Sequence, residues 1–223
     1  MLRRLPVAAV LICATTATAA AQDPVPQLPQ PLPKPPMTVF VVDARGTWSA
    51  LKQEQSVASA LVIDVNQLPS RGLGLILGAH IYPIRLKSFA VGIGAEWLRV
   101  RGSNTVEALV EGGDDGPVIK TRWDHFSPQA SVNFGGRNGW SYLTVGLGRS
   151  SLTTEREDLP QEDAESGAGT LNYGGGARWF VNKHLAFTFD LRWYSVNAQE
   201  ATTGRIAMPK SRMRVFSGGI ALR

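Results

Sequence analysis

One pair of residues in the sequence has the types and the spacing of a nucleophile and its general base. His125 and Ser127 are separated by a single residue, and a histidine beside a serine can activate the hydroxyl for acyl transfer. A third group usually orients such a histidine, and the following segment, 140–153, contains no acidic residue. The pair is a candidate for acyl-transfer chemistry whose merit depends on where the two side chains point.

A second set of candidates consists of charged residues inside otherwise apolar, alternating segments. Charges removed from bulk water must be paired or neutralised, so these residues predict an ion-pair network in the protein interior. The same residues would also suit the wall of a gated ion path. Both interpretations apply to one set, which comprises Asp43, Arg45, Glu96, Arg178, Asp190 and Arg192.

Basic residues form a third set, at the places where the alternating segments meet long polar stretches. Guanidinium groups match phosphate oxygens, so the set indicates contact with phosphate-bearing lipid. Long cationic side chains also reach from an apolar surface to water at any membrane interface, and this alternative stays open. The set comprises Arg99, Arg101, Lys120, Arg122, Arg149, Arg212 and Arg214. Acidic residues in the long stretches lack the fixed ligand spacing of a divalent-cation site.

Alternation of apolar and polar residues places these candidates on β-strands. In the segment 185–194, Phe187, Phe189 and Leu191 share one face, and the residues between them share the other. Eight segments show this pattern, and tight turns alternate with long loops between them. The predicted strands are 38–50, 72–83, 89–101, 120–134, 140–153, 169–180, 185–197 and 212–222. Residues 51–65 either extend the first strands or form a short helix.

The first 37 residues have the features of export. Arg3 and Arg4 precede an apolar segment that ends in the cleavage site Ala19-Ala20-Ala21, so residues 1–21 are predicted to be a secretory signal peptide. Residues 22–37 are rich in proline and predict an extended leader of polyproline type.

The composition excludes several classes of protein. Cys13 is the only cysteine among the 223 residues, which excludes a disulfide framework, a CxxC redox pair and a cysteine-rich zinc site. No apolar run after residue 37 reaches the 18 residues of a transmembrane helix. Loss of Arg3 and Arg4 lowers the net charge from +5 to +3, and an exported protein with scattered charge is not expected to bind nucleic acid. No cofactor or metal is predicted.

The position of the aromatic residues favours a membrane barrel over a soluble one. Alternation alone fits both, because a soluble barrel points its apolar face inward and a membrane barrel points it at lipid. Aromatic residues near strand ends resemble the girdles at a membrane interface, and glycines and charges on the other face suit a narrow lumen. These aromatics are Phe89, Trp97, Trp140, Trp179 and Trp193. The sequence therefore predicts an all-β, eight-stranded, antiparallel up-and-down transmembrane barrel over 38–223, with both termini at the periplasmic rim.

Residues 173–194 carry a resemblance to a known family. The stretch Tyr173–Phe180, the turn at Asn182 and the strand that follows it resemble the paired sixth and seventh strands of the small outer-membrane barrels of the OmpA/OmpX type. The resemblance implies a monomer in the outer membrane of a Gram-negative bacterium, inserted by the barrel-assembly machinery and in contact with lipopolysaccharide. Members of that family usually end on an aromatic residue, whereas this sequence ends in Leu222-Arg223. No peptidoglycan-binding domain follows the predicted barrel.

The functional expectation is a structural or surface-interaction role, with a lumen largely filled by polar side chains and no enzymatic activity. The alternatives are a narrow channel for ions or small solutes and a lipid A-modifying enzyme. An outer-membrane deacylase with a His-x-Ser pair needs its serine to face the bilayer, but alternation places His125 and Ser127 on the lumen side. The sequence also has Pro128-Gln129 where that enzyme has Asn-Ala after the serine.

Overall fold

The strands close on themselves to form a barrel. A computed structural model describes residues 38–86, 88–106, 115–136, 138–159 and 167–223. Within these ranges each strand is antiparallel to the next, and the last pairs with the first. The strands are β1 (Phe40–Ala50), β2 (Arg71–Arg85), β3 (Phe89–Thr105), β4 (Val118–Gly136), β5 (Gly139–Arg156), β6 (Ala168–Phe180), β7 (Leu185–Val196) and β8 (Ser211–Leu222). The predicted signal peptide and leader lie outside the described residues.

The predicted fold class is confirmed, and the strand bounds differ mainly in one part of the wall. The strands predicted to begin or end at 101, 120 and 153 continue to Thr105, Val118 and Arg156. Three adjacent strands, β3, β4 and β5, therefore rise above the others at the end of the barrel that carries the long loops. The start of β1 and the end of β8 lie at the opposite end, with the short turns.

The outward face of the strands is a belt of exposed apolar side chains. Phe126 and Leu147 are 56% and 68% exposed, as alternation predicts for residues that face lipid. On β3 the belt runs from Phe89 to Trp97, and Arg99 follows on the same face. Eight residue steps cover ~27 Å along a strand, or ~21 Å along the axis at a tilt of ~40°, close to the ~25 Å apolar band of membrane barrels.

Trp140 is an exception to the predicted outward aromatics. The structure buries it in the lumen at 3% exposure, with its ring centroid 5.8 Å from that of Tyr82 and 5.2 Å from that of Phe180. Its position on β5 has the parity of buried Tyr142, whereas Leu143 has the opposite parity and is exposed. Assigning this tryptophan to the lipid face was therefore wrong, because proximity to a strand end does not determine the face.

The first long connection folds over the barrel mouth. It contains a helix, α1 (Gln55–Leu61), followed by one 3₁₀ turn, so a short helix is the correct choice for part of 51–65. Val57 and Leu61 are buried beneath it. The Arg156 side chain donates a hydrogen bond to the carbonyl oxygen of Leu61 at 2.8 Å and pairs with Asp158, and its hydrogen bonds hold the pKa of that exposed carboxyl below its usual value.

A short turn between β6 and β7 has a specific local cause. The Asn182 side-chain oxygen accepts hydrogen bonds from the backbone N–H groups of His184 and Leu185, both at 2.8 Å. Asparagine stabilises such turns because its side chain replaces a backbone acceptor. The turn sets the register in which Asp190 and Arg192 reach the middle of the lumen.

Candidate functional site: the ion-paired lumen and the cationic rim

Six charged residues meet in the middle of the lumen, and they are the six that the sequence predicts. Arg45 lies at the centre and contacts all three carboxylates: its Nε is 2.8 Å from Asp43, its Nη1 is 3.0 Å from Asp190, and its Nη2 contacts Glu96. Three arginines thus face three acids in a charge-balanced group. We call Asp43, Arg45, Glu96, Arg178, Asp190 and Arg192 the charge cluster.

The other two arginines connect the rest of the charge cluster. Arg192 bridges two acids, because its Nε lies 2.8 Å from Asp190 and its Nη2 donates to Glu96 at 2.9 Å. Arg178 pairs with Asp43 and donates to the Tyr82 hydroxyl at 2.6 Å. All three guanidinium groups are at most 2% exposed. Burial of charge is costly, so a cluster of this kind persists only where each charge has close partners.

Glycines in the adjacent strands make room for the charged side chains. Asp43 and Glu96 both lie opposite Gly78, one on each side of β2. A Cβ atom at Gly78 would lie 2.8 Å from the Asp43 carboxylate. Asp190 and Arg192 likewise lie opposite Gly176 and Gly174 of β6. The glycine-rich inner face therefore fits large charged groups into a narrow cross-section.

Polar residues that the sequence analysis did not single out complete the centre of the lumen. The Gln129 amide donates to Glu96 at 2.9 Å, and its carbonyl oxygen accepts from Arg192 at 2.7 Å. Tyr142 donates to Asp190 at 2.8 Å. His80 lies 3.4 Å from Glu96. Their inward parity on the strands was the available signal, but alternation does not show which inward residues reach the cluster.

His125 and Ser127 face the lumen, as their parity predicts. They are 2% and 0% exposed, and His125 Nε2 lies 3.0 Å from the Ser127 hydroxyl. The other ring nitrogen contacts the Ser150 hydroxyl at 2.9 Å. Asn172 and Gln129 also donate to Ser127, at 2.9 and 3.2 Å. The group in position to orient the histidine is therefore the Ser150 hydroxyl rather than a carboxylate. Other side chains enclose the pair.

Two apolar clusters close the lumen above and below the charge cluster. The larger one lies at the long-loop end, where Leu61 of α1 packs with Ile76, Leu98 and Trp123. The smaller one lies at the short-turn end and includes Tyr82 and Trp140. The predicted lumen, largely filled by polar side chains, is therefore found only in the middle of the barrel, and apolar side chains fill both ends. Apolar residues at inward positions near the strand ends account for the difference.

The predicted cationic rim lies on the outer face at the long-loop end. All seven residues, Arg99, Arg101, Lys120, Arg122, Arg149, Arg212 and Arg214, are on the outward parity of their strands. Arg99 pairs with Asp124 at 2.5 Å, and the Nε of Arg122 is 3.4 Å from the same carboxylate. Lys120 and Glu157 are 3.6 Å apart. The rim is a set of partly compensated cations just above the apolar belt.

Comparisons with known proteins give structural matches alone. No family model matches the chain, and no curated protein matches it in sequence. The crystal structure of Neisserial surface protein A matches with a TM-score of 0.51 at 13% identity, over 82% of this chain and 96% of that one. The chain has the fold of a small outer-membrane β-barrel. The barrel also matches Ail of Yersinia pestis with a TM-score of 0.45 at 12% identity, over 84% of this chain and 98% of that one. It matches OprG of Pseudomonas aeruginosa with a TM-score of 0.42 at 14% identity, over 85% of this chain and 97% of that one.

The described helices are short. Among the residues that the structure describes, no helix is long and apolar enough to cross a membrane.

Proposed function

We propose that the protein is a non-conducting outer-membrane barrel with a structural or surface-interaction role. The observation that carries this proposal is the charge cluster, which lies between two apolar clusters in the lumen. The interior of an eight-stranded barrel is only wide enough for its own side chains. Here those side chains are ion-paired in the middle and apolar at both ends, so a hydrated ion would meet a closed path.

The apolar belt supports a location in the outer membrane. Exposed side chains such as Phe126 and Leu147 encircle the barrel at a height suited to a bilayer, and contiguous exposed apolar surface of this extent is unfavourable in water. We propose that a signal peptide over 1–21 is cleaved, that the assembly machinery inserts the barrel, and that it stays monomeric. The long-loop end would then face the exterior and both barrel termini the periplasm.

The cationic rim supports contact with lipopolysaccharide. Its residues follow the last apolar side chain of several strands, as Arg99 follows Trp97 on β3. Phosphate groups of an outer leaflet would lie at this level, and arginine binds phosphate through paired N–H donors. The rim is therefore the surface that we assign to the membrane partner.

Planar-bilayer recording tests the proposed function directly. The refolded mature barrel should show little or no steady conductance, whereas the Glu96→Ala variant, which removes a shared partner of two arginines, should show more frequent openings. Large and stable openings of the unaltered protein would contradict the proposal. Heat-dependent migration on gels and recovery in the outer-membrane fraction test the location separately, and recovery as a soluble periplasmic protein would refute it.

A narrow path for water or small ions is the second candidate function. One observation favours it: four buried hydroxyls on β1, β7 and β8 have no hydrogen-bond partner among the described residues, namely Thr47, Ser49, Thr188 and Ser217. Buried hydroxyls of this kind are commonly satisfied by water. Conductance that survives in the unaltered protein and falls in Thr47→Val would favour this path over a closed lumen.

We propose that the protein is not a lipid A deacylase. Such an enzyme must present its nucleophile to the acyl ester in the bilayer, and Ser127 is fully buried on the lumen side. The group that orients His125 is the Ser150 hydroxyl, and a hydroxyl cannot stabilise an imidazolium as a carboxylate does. Both features support a structural role for this pair.

A further inference from the structure

Charge is distributed unevenly along the barrel axis. The long loops carry acidic as well as basic residues, whereas the short turns and the strand ends beside them carry basic residues alone. At this end the sequence has Arg85, Lys87, Arg137, Lys183 and Arg223, and it has no aspartate or glutamate. We call these five residues the short-turn cations. Lys87 and Arg137 lie outside the described residues and are included by their position in the sequence.

The acidic residues of the barrel lie elsewhere. Asp43, Glu96 and Asp190 belong to the charge cluster, where three arginines balance them. Every other aspartate and glutamate of the barrel sequence lies in a long loop or in the long-loop half of a strand. Several basic residues there have carboxylate partners, as Arg99 has Asp124 at 2.5 Å. The sequence of the short-turn end therefore supplies no carboxylate side chain of its own.

Lys183 and Arg223 show how two of the short-turn cations are held. The Lys183 side chain is exposed, and no ion pair involves it among the described residues. Arg223 Nε donates a hydrogen bond to the carbonyl oxygen of Lys183 at 2.7 Å, and the Arg223 guanidinium lies 3.7 Å from the centroid of the Phe180 ring. The terminal carboxylate of Arg223 adds one negative charge, and one of its oxygens lies 3.3 Å from His184 Nδ1. The positive charges remain in excess at this end.

Exposed apolar side chains accompany the short-turn cations on three segments of the chain. Each of these side chains is within two positions of a short-turn cation, and they are Leu86 (60% exposed), Val181 (57%) and Leu222 (47%). An apolar residue beside a lysine or arginine is typical of segments at a membrane interface, where the apolar side chain reaches the acyl chains and the cation stays among the headgroups. The repeated pattern favours a lipid surface over a soluble partner.

The short turns lie directly beside the lower edge of the apolar belt. On β3 the belt begins at Phe89, three positions after Leu86. On β6 the last belt residue is Trp179, which is 53% exposed and comes four positions before Lys183. Four positions cover at most ~14 Å of extended chain, which places Lys183 at the headgroup layer next to the belt. The phosphate groups of phospholipids lie at this level.

We propose that the short-turn cations bind phospholipids whose headgroups carry a net negative charge. The proposed orientation places these lipids in the inner leaflet of the outer membrane, so the inference rests on the proposed function. Exposed Lys183 and the basic residues of the other turns attract the phosphate oxygens, while the neighbouring apolar side chains stay among the acyl chains. Each basic residue near an anionic membrane surface adds to binding, so several together prefer anionic over zwitterionic lipid. This contact is at the opposite end of the barrel from the cationic rim.

Native mass spectrometry of the refolded mature barrel in detergent micelles tests this inference. The micelles are titrated with phosphatidylglycerol or with phosphatidylcholine of the same acyl chains, and the bound lipids are counted. The double variant Lys87→Gln/Lys183→Gln should lose about fivefold in affinity for phosphatidylglycerol for each charge removed, and it should keep its affinity for phosphatidylcholine.

The matched control is the double variant Lys52→Gln/Lys210→Gln. It removes two exposed lysines from the long-loop end, and these lysines belong neither to the cationic rim nor to the short-turn cations. Its affinity for both lipids should stay close to that of the unaltered barrel. Gel migration before and after heating shows whether each variant is folded. Higher ionic strength should weaken phosphatidylglycerol binding to the unaltered barrel, which tests the role of charge without any substitution.

Three results would overturn the inference. Equal losses in the two double variants would show attraction by total charge alone, and equal affinity of the unaltered barrel for the two lipids would show no preference for anionic headgroups. Binding of soluble peptidoglycan fragments that depends on Lys87 and Lys183, without such a dependence for phosphatidylglycerol, would assign the short-turn cations to a cell-wall contact. Failure of this inference is distinguishable from failure of the proposed function, because fractionation and conductance are measured without any lipid titration.

Discussion

Glu96 is the residue whose removal should most disturb the barrel interior. It is 2% exposed, and it contacts Arg45 and Arg192 while accepting from Gln129. Glu96→Ala would leave three guanidinium groups with two carboxylates, and the cluster would carry one uncompensated positive charge. Removal of one partner from a buried ion pair costs about 3–5 kcal/mol, because the remaining charge stays buried. We expect a loss of this size in the free energy of unfolding.

Urea unfolding of the barrel in detergent micelles, followed by tryptophan fluorescence and by gel migration, measures this loss. The matched control is Glu157→Ala. The Glu157 side chain is 57% exposed, and its carboxylate forms a surface ion pair with Lys120 at 3.6 Å. A surface pair of this kind contributes about 0–1 kcal/mol. The double variant Glu96→Ala/Arg192→Ala restores charge balance, so its loss should fall short of the sum of the single losses by about 1 kcal/mol or more.

Two results would refute this reasoning about the charge cluster. A loss below about 1 kcal/mol in Glu96→Ala would mean that water screens the cluster as it screens surface pairs. If the loss in the free energy of unfolding of the double variant equalled the sum of the two single losses, Glu96 and Arg192 would contribute to stability independently. Their direct contact predicts the opposite.

Three further variants test other parts of the structure. Leu61→Ala should free α1 from the barrel mouth, because truncation of a buried leucine to alanine costs about 2–5 kcal/mol. Limited proteolysis should then cut within 55–66, and resistance equal to that of the unaltered protein would contradict the docked helix. Ser127→Ala should leave the lipid A of an overproducing strain unchanged by mass spectrometry, and a Ser127-dependent loss of an acyl chain would reverse the non-enzyme proposal. Gly78→Val should lower the yield of refolded barrel on gels, since its Cβ would lie 2.8 Å from Asp43, whereas equal yield would show that the lumen adjusts.

Alternation predicted the strands because the two faces of this barrel meet different surroundings. On β7 the outward residues such as Phe187 are apolar, and the inward residues such as Asp190 are mostly polar or small. The upper ends of β3, β4 and β5 were harder to predict. Above the belt both faces of these strands are polar or mixed, as in Ser103 and Asn104, and alternation then no longer marks where a strand ends.

The members of the charge cluster could be predicted, but their partners could not. Charged residues at inward positions of an eight-stranded barrel must meet others across a narrow lumen. Which arginine faces which acid depends on how far each strand is shifted against its neighbours. Arg178 and Asp43, for example, belong to β6 and β1, which are not neighbours in the wall. The apolar clusters were missed for a related reason, because inward residues such as Ile76 contact a loop helix whose position the strand pattern does not contain.

The arrangement of the lumen directs attention to the outer surface. The charge cluster is buried between two apolar clusters, so its charges must balance one another, and the structure places three arginines with three acids. A change to one member therefore disturbs the others, which makes the interior a poor place for a binding site. The cationic rim is different, because its seven side chains lie on the outer face at the long-loop end, where the proposed lipid contact would be made. We therefore expect contacts with other molecules on the outer wall of the barrel rather than in its lumen.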